Sequence, residues 1–307
     1  MKSRTLPLLV ALTGLGVAVG IAANKRGKQQ QVSAENLAKV EASIPKKVTK
    51  PEQKRKLLVF SVTNGYRHKS IDLGKQALVM MGEKTGAYEA VVSDDLSNFE
   101  KDKISEFDAI CFNNTTSEVF RPHRVKFKLL DAEQKKEVLE KEKELQQNLA
   151  DFIKNGGGFI GIHAATDTFY EWPEYGEIIG GYFNGHPWRS STDVTIKVDD
   201  SAKGNPILAA MSDGEPLNFK EEIYQHKEPY DSSKVNMLLR LDTENTTMEV
   251  KGIKRKDNDF GVSWTREYGE GRVFYCSLGH NDHIFWNPKV LSIYLNGIQW
   301  AMGDLGN

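Results

Sequence analysis

Gly158-Phe159-Ile160-Gly161-Ile162-His163-Ala164-Ala165-Thr166-Asp167 is the stretch whose reading decides the fold. Its first part carries no charge and only apolar or small residues, the composition of a short strand buried on both faces. The strand then runs straight into a histidine. In open α/β sheets, loops and helix starts converge beyond the carboxyl ends of the strands, so a polar residue at such an exit carries functional weight.

The neighbouring segments supply the rest of an alternating pattern. Upstream, Asp131-Ala132-Glu133-Gln134 has the form of a capping box. Val138, Leu145, Leu149, Phe152 and Ile153 then give one apolar helical stripe that stops at Asn155-Gly156-Gly157. The charged stretch 135–144 reads as a solvated face. Residues 56–63 read as a first buried strand, 71–84 as an amphipathic helix, 88–92 as a second strand and 107–112 as a third. Downstream, 193–198 and 235–241 read as strands, 260–264 and 272–278 as a hairpin turned at Tyr268-Gly269-Glu270-Gly271, and 288–302 as a closing helix. Short strands alternating with helices predict an α/β domain, a mostly parallel sheet with helices on both faces. No internal repeat is present.

The termini and composition bound the remainder. Met1-Lys2-Ser3-Arg4 followed by an uncharged run over 5–23 reads as a signal peptide or signal anchor over 1–24, which predicts export. Such a chain is periplasmic, or anchored facing outside the cytoplasm, and touches a membrane only through this segment. No cysteine lies near Ala23, so a lipid attachment site is not expected. Residues 25–55, lysine-rich and lacking an apolar period, read as a polar tether, leaving 56–304 as the folded domain. Lys and Arg total 41 against 42 Asp and Glu. That balance gives no overall field to hold nucleic acid. Cys111 and Cys276 each fall inside an expected core strand and read as inert buried thiols; a disulfide is not implied.

Three expected strand exits carry histidine: Asn64-Gly65-Tyr66-Arg67-His68, Ile162-His163, and Gly279-His280. A further one, His186, lies in Gly185-His186-Pro187-Trp188. Each alone is more simply a structural histidine, and the shared location is what suggests a common pocket. Imidazole serves as general base, proton shuttle or metal ligand, and spacing does not choose between these roles. A zinc-like divalent ion could draw its ligands from His163, His280, His68 or His186 together with Glu222, the set His163, His186, Glu222 and His280 being favoured, with His163, His280 and His68 as the reactive centre. Glu221-Glu222 are ordinary solvent-facing acids on the plainer reading. Arg67, Tyr66, Asp167, Trp188 and Tyr224 are candidate substrate contacts, since carboxylates, guanidinium groups and flat aromatic faces suit a sugar. Trp264, inside a strand, reads as core. No nucleotide-cofactor motif is evident.

Asn155–Ala165, Trp172-Pro173-Glu174-Tyr175, Gly185-His186-Pro187-Trp188, Glu222-Ile223-Tyr224 and Gly269–Tyr275 running to Gly279-His280 occur in this order. Together they closely resemble the trehalose-utilisation (ThuA-like) family over roughly 56–303. The resemblance implies a flavodoxin-like three-layer sandwich similar to class I glutamine amidotransferases, and a role in carbohydrate catabolism, with 3-keto-glucosides as the substrate type. In the amidotransferase relatives a cysteine occupies the turn after the fourth strand. Here His163 stands in its place, so glutaminase activity is not expected. Two departures stand out: residues 121–147 are longer and more charged than usual, which lengthens a surface helix, and Glu221 leaves open whether 221 or 222 faces the pocket. The leading expectation is a carbohydrate-active hydrolase, lyase or isomerase with a small-molecule sugar as partner. The rival is a non-catalytic carbohydrate-binding or scaffold protein on the same fold. Oligomeric state is left open.

Overall fold

A computed structural model describes residues 31–306. In chain order its elements are α1 (Ala34–Ser43), β1 (Lys56–Phe60), α2 (Ile71–Thr85), β2 (Glu89–Val92), α3 (Lys101–Ile104), β3 (Ala109–Asn113), α4 (Arg124–Leu129), α5 (Ala132–Lys154) and β4 (Gly158–Ile162). There follow α6 (Pro173–Ile179), β5 (Tyr182–Phe183), β6 (Asp193–Val198), β7 (Leu217–Lys220), β8 (His226–Lys227), β9 (Asn236–Leu241), β10 (Gly261–Tyr268), β11 (Gly271–Cys276) and α7 (Pro288–Ala301).

The main sheet has the order β2-β1-β3-β4-β11-β10-β9-β6-β7. From β2 to β11 all neighbours run parallel; from β11 to β7 all run antiparallel. The parallel half carries the three strand exits that bear histidine, after β1, β4 and β11.

Side-chain alternation shows why these strands need cover on both faces. Leu57, Val59, Cys111, Ile160, Ile162 and Cys276 join one apolar cluster, with α2 and α7 packed on it. Leu58, Phe60, Ile110, Phe112, Phe159 and Tyr275 join a second cluster, under α5 and α6. Helices therefore sandwich the sheet, as the strand pattern predicts. The capping box at Asp131 forms in full, and the helix it starts runs to Lys154. Trp264 is wholly buried and donates to Ile179 O, a core role as read from its strand position. Both cysteines are free and buried, and burial pushes the Cys276 thiol up to about 12.

Three readings need correction. Part of the stretch taken as a tether is folded: α1 is capped by Ser33, buries Val40 in the core, and its Ser43 hydroxyl donates to Trp286 O at 2.7 Å. One buried valine makes no sequence period, which is why periodicity missed it. The charged stretch 135–144 is not solvated throughout, since Glu142 is buried with its Oε1 3.4 Å from Arg121 Nε. Last, the acids at 221 and 222 do not face solvent; both are buried. The signal segment, and the first part of the tether, lie outside the described residues. No helix among the described residues is long and apolar enough to cross a membrane.

Candidate functional site

β4 leaves the sheet at Ile162, and the next residue, His163, has φ +49°. That left-handed backbone is uncommon outside glycine and makes the strand-to-helix turn sharp. It drives the imidazole into the space beyond the strand ends. His163 itself is completely buried.

Two neighbouring exits meet it there. The loop after β1 is stitched to the loop after β3, with Asn64 N donating to Thr116 O and the Asn64 amide donating to Glu118 O and Arg121 O. His68 is carried in beside His163, ring centroids 4.7 Å apart. The loop after β11 carries His280, whose ring centre is 5.1 Å from His68 and 5.5 Å from His163. The fourth member, Glu222, enters from the antiparallel half on the connection between β7 and β8. Ligand atoms of His68, His163, Glu222 and His280 all lie within 4.8 Å of one another.

Hydrogen bonding fixes the state of His163. Its Nδ1 sits 2.6 Å from Ser277 O. A carbonyl only accepts, so Nδ1 carries the proton and Nε2 presents a lone pair. The Tyr224 hydroxyl, 3.0 Å away, donates to that lone pair, and Glu222 Oε1 lies 3.7 Å from it. His280 Nδ1 is 3.3 Å from Glu222 Oε1, and His186 Nδ1 is 3.4 Å from Glu222 Oε2.

Burial holds His163 far below the ordinary imidazole range and takes His68 down to about 3, with the neighbouring imidazoles adding to both. Burial also disfavours charge on His280, yet the contact with Glu222 and the charges of Glu222 and Glu221 outweigh it and raise its pKa. The centre thus combines bare imidazole nitrogens with one carboxylate. Nδ1 of His68 is buried without a hydrogen-bond partner, and Nδ1 of His280 faces Glu222. An unpartnered imidazole nitrogen close to a carboxylate suits a cation.

The structure brings together most of the residues read from sequence, with changes in their roles. His186 contacts Glu222 from an exposed position outside the four-donor group, and of the two alternatives it is His68 that lies inside it. The question of 221 or 222 resolves to Glu222 facing the imidazoles. Tyr66 is exposed and sets its ring edge-on to His68 at 4.7 Å. Arg67 is paired with Asp72 at 3.1 Å, and Asp167 accepts from the Tyr170 hydroxyl at 2.5 Å. Tyr224 is buried, its hydroxyl engaged by His163 rather than free for substrate. Trp188 is no rim residue: it is fully buried, donates to Thr247 O and packs edge-to-face on Phe260. Its indole fills the core because the Trp188–Ile223 bridge pulls this segment into the sheet edge.

Sequence reasoning missed Tyr275, whose hydroxyl donates to His163 O at 2.8 Å and lies 3.0 Å from Thr166 Oγ1. A tyrosine inside an apolar strand gives no outward sign of such a role.

The family model described as trehalose utilisation matches residues 56–301. The chain belongs to that ThuA family. Among solved structures, a ThuA-like protein from Bacteroides uniformis shares 20% identity at a TM-score of 0.58, over 84% of this chain and 94% of its own. One from Parabacteroides merdae shares 17% at 0.54, over 83% and 92%. A cytoplasmic protein from Salmonella typhimurium shares 12% at 0.50, over 80% and 98%. At these identities the likeness establishes the fold alone. No curated protein matches the chain. Membership in the ThuA family supports a carbohydrate-related role.

Proposed function

We propose that this ThuA-family chain is an exported enzyme of carbohydrate catabolism. Its reactive centre is His68, His163, His280 and Glu222 around a divalent cation, and its substrate is a sugar or keto-sugar of the 3-keto-glucoside type. The observation that carries the reading is the convergence of four donors, three of them buried, from four separate segments within 4.8 Å, with Nδ1 of His68 lacking a hydrogen-bond partner. A structural histidine is expected to satisfy both nitrogens; His68 leaves its Nδ1 bare.

A bound divalent ion would polarise a carbonyl or hydroxyl oxygen of the sugar. The chain's own groups supply the rest. Ser277 O holds the His163 tautomer that leaves Nε2 available. Glu222 balances the charge of the site and spans His163, His186 and His280. His186, exposed at the rim, can carry a proton between Glu222 and solvent. Tyr66 offers an exposed ring beside His68 against which a sugar face can lie. If all four donors held zinc they would leave no open position for substrate, so a catalytic ion here would be one of higher coordination number.

Metal analysis of protein purified without a histidine tag tests the cation: stoichiometric first-row metal is expected, and protein that neither retains nor is activated by any divalent ion removes it. His163→Ala tests the enzyme reading on trehalose and 3-keto-glucosides. Turnover should fall at least about 100-fold. A variant that alters only sugar affinity would instead mark a binding protein.

A further inference from the structure

Glu221 is the most completely enclosed carboxylate beside the site, and it touches no imidazole ring. Its Oε1 accepts from Gly279 N at 3.1 Å and His280 N at 2.6 Å, and its Oε2 accepts from Asn281 N at 3.2 Å. Successive backbone amides converging on one anion form a nest, the arrangement that elsewhere binds phosphate or a free carboxylate. Here the carboxyl group is built into the chain. Burial raises it to about 8, outweighing the three N–H donors, which favour the charged form.

The adjacent residue acts on the same loop from the other side. Glu221 reaches the backbone of residue 280 while Glu222 reaches its ring, 3.3 Å from Nδ1. We infer that Glu221 is a positioning residue: the Glu221-Glu222 pair grips main chain and side chain of His280 together, and this grip sets where the His280 nitrogen stands relative to His68 and His163.

Other contacts show that this loop is held rather than loose. Ser70 Oγ donates to Gly279 O at 2.6 Å, and the Asn281 amide donates to Ser190 O and Lys220 O. These tie the two ends of the loop. Among the described residues, only Glu221 holds the peptide N–H of His280 itself. A glutamine at 221 would keep one carbonyl acceptor and turn an amine donor toward the remaining N–H, which then loses its partner.

The full chain, with any tag removed, is compared as wild type, Glu221→Gln and Glu221→Asp by zinc titration calorimetry, thermal melting and crystal structure. The affinity readout rests on the cation reading above; the position of the ring does not. In the glutamine variant the His280 ring should move away from Glu222 and zinc affinity should fall about 10- to 100-fold, as for other groups that orient a ligand. The aspartate variant, which keeps the carboxyl group and withdraws it by one methylene, should fall between. A glutamine variant with the ring unmoved and wild-type affinity overturns the inference. If that variant does not fold, aspartate decides, and wild-type ring position and affinity there overturn it. If the wild type itself takes up no zinc, the cation reading fails, and ring displacement alone decides the role of Glu221.

Discussion

Ser277 O accepts from His163 Nδ1 across 2.6 Å, joining the exit of β11 to the turn after β4. A strand that pairs in parallel with β4 thereby dictates the tautomer of the residue that follows β4. Because Tyr275 also donates to His163 O, β11 controls both the ring and the backbone of that histidine. The centre is preorganised by the sheet, with loops supplying the remaining donors.

The closeness of those two exits leaves no room at Gly279, which has φ +132°. A Cβ there would stand 3.2 Å from both His163 Cβ and Ile162 Cγ2. Gly279→Ala should cost about 1–3 kcal/mol in stability, from backbone strain, and displace His280. Denaturant melts combined with zinc titration check both effects; wild-type stability and affinity would show that the loop yields freely.

Trp188 should behave as a core residue. Trp188→Ala is expected to destabilise the protein by about 3–5 kcal/mol. Trp188→Phe, by contrast, should leave sugar binding intact at a temperature where the variant is folded. Urea unfolding and a sugar-binding isotherm separate this from a direct contact, which would weaken binding without comparable loss of stability.

Burial lowers His226 to about 3, with Arg255 adding to the effect. The unfolded chain takes up this proton near the ordinary value of 6.5, and the native state does not. Stability is therefore complete above that value and falls as pH drops from about 6.5 toward 3. His226→Gln removes this term. Wild type should lose roughly 1.4 kcal/mol per pH unit relative to the variant across that window, followed by melts at stepped pH. Parallel curves would mean that His226 is charged in the folded protein.

Glu142 carries the opposite sign. Burial raises its carboxyl to about 7, with Arg121 opposing and Glu118 and Glu171 reinforcing the rise. The native state then holds a proton that the unfolded chain has released above 4.5, so the stabilisation is present below 4.5 and is lost as pH rises through 7. Glu142→Gln should gain on wild type over that interval, measured by the same pH series. A variant that falls behind as pH rises would show that the ion pair with Arg121 dominates.

Much of this molecule could be read along the chain. Strands β1, β3, β4 and β11, the capping box at Asp131 and the closing helix follow from local rules, because a strand buried on both faces must be apolar throughout and a helix start must satisfy its own amides. Histidines beyond the ends of β1, β4 and β11 point to a candidate site at that end of the sheet. Spacing could not tell Glu221 from Glu222, place His68 inside and His186 at the rim, or send Trp188 to the core. Those outcomes depend on which strand lies beside which, and on the direction of each Cα–Cβ bond once distant segments have been folded together. Neighbour preferences act over a few residues, whereas the donor set joins residues 68 to 280. Only packing of the whole sheet brings such separated atoms within reach of a single ion.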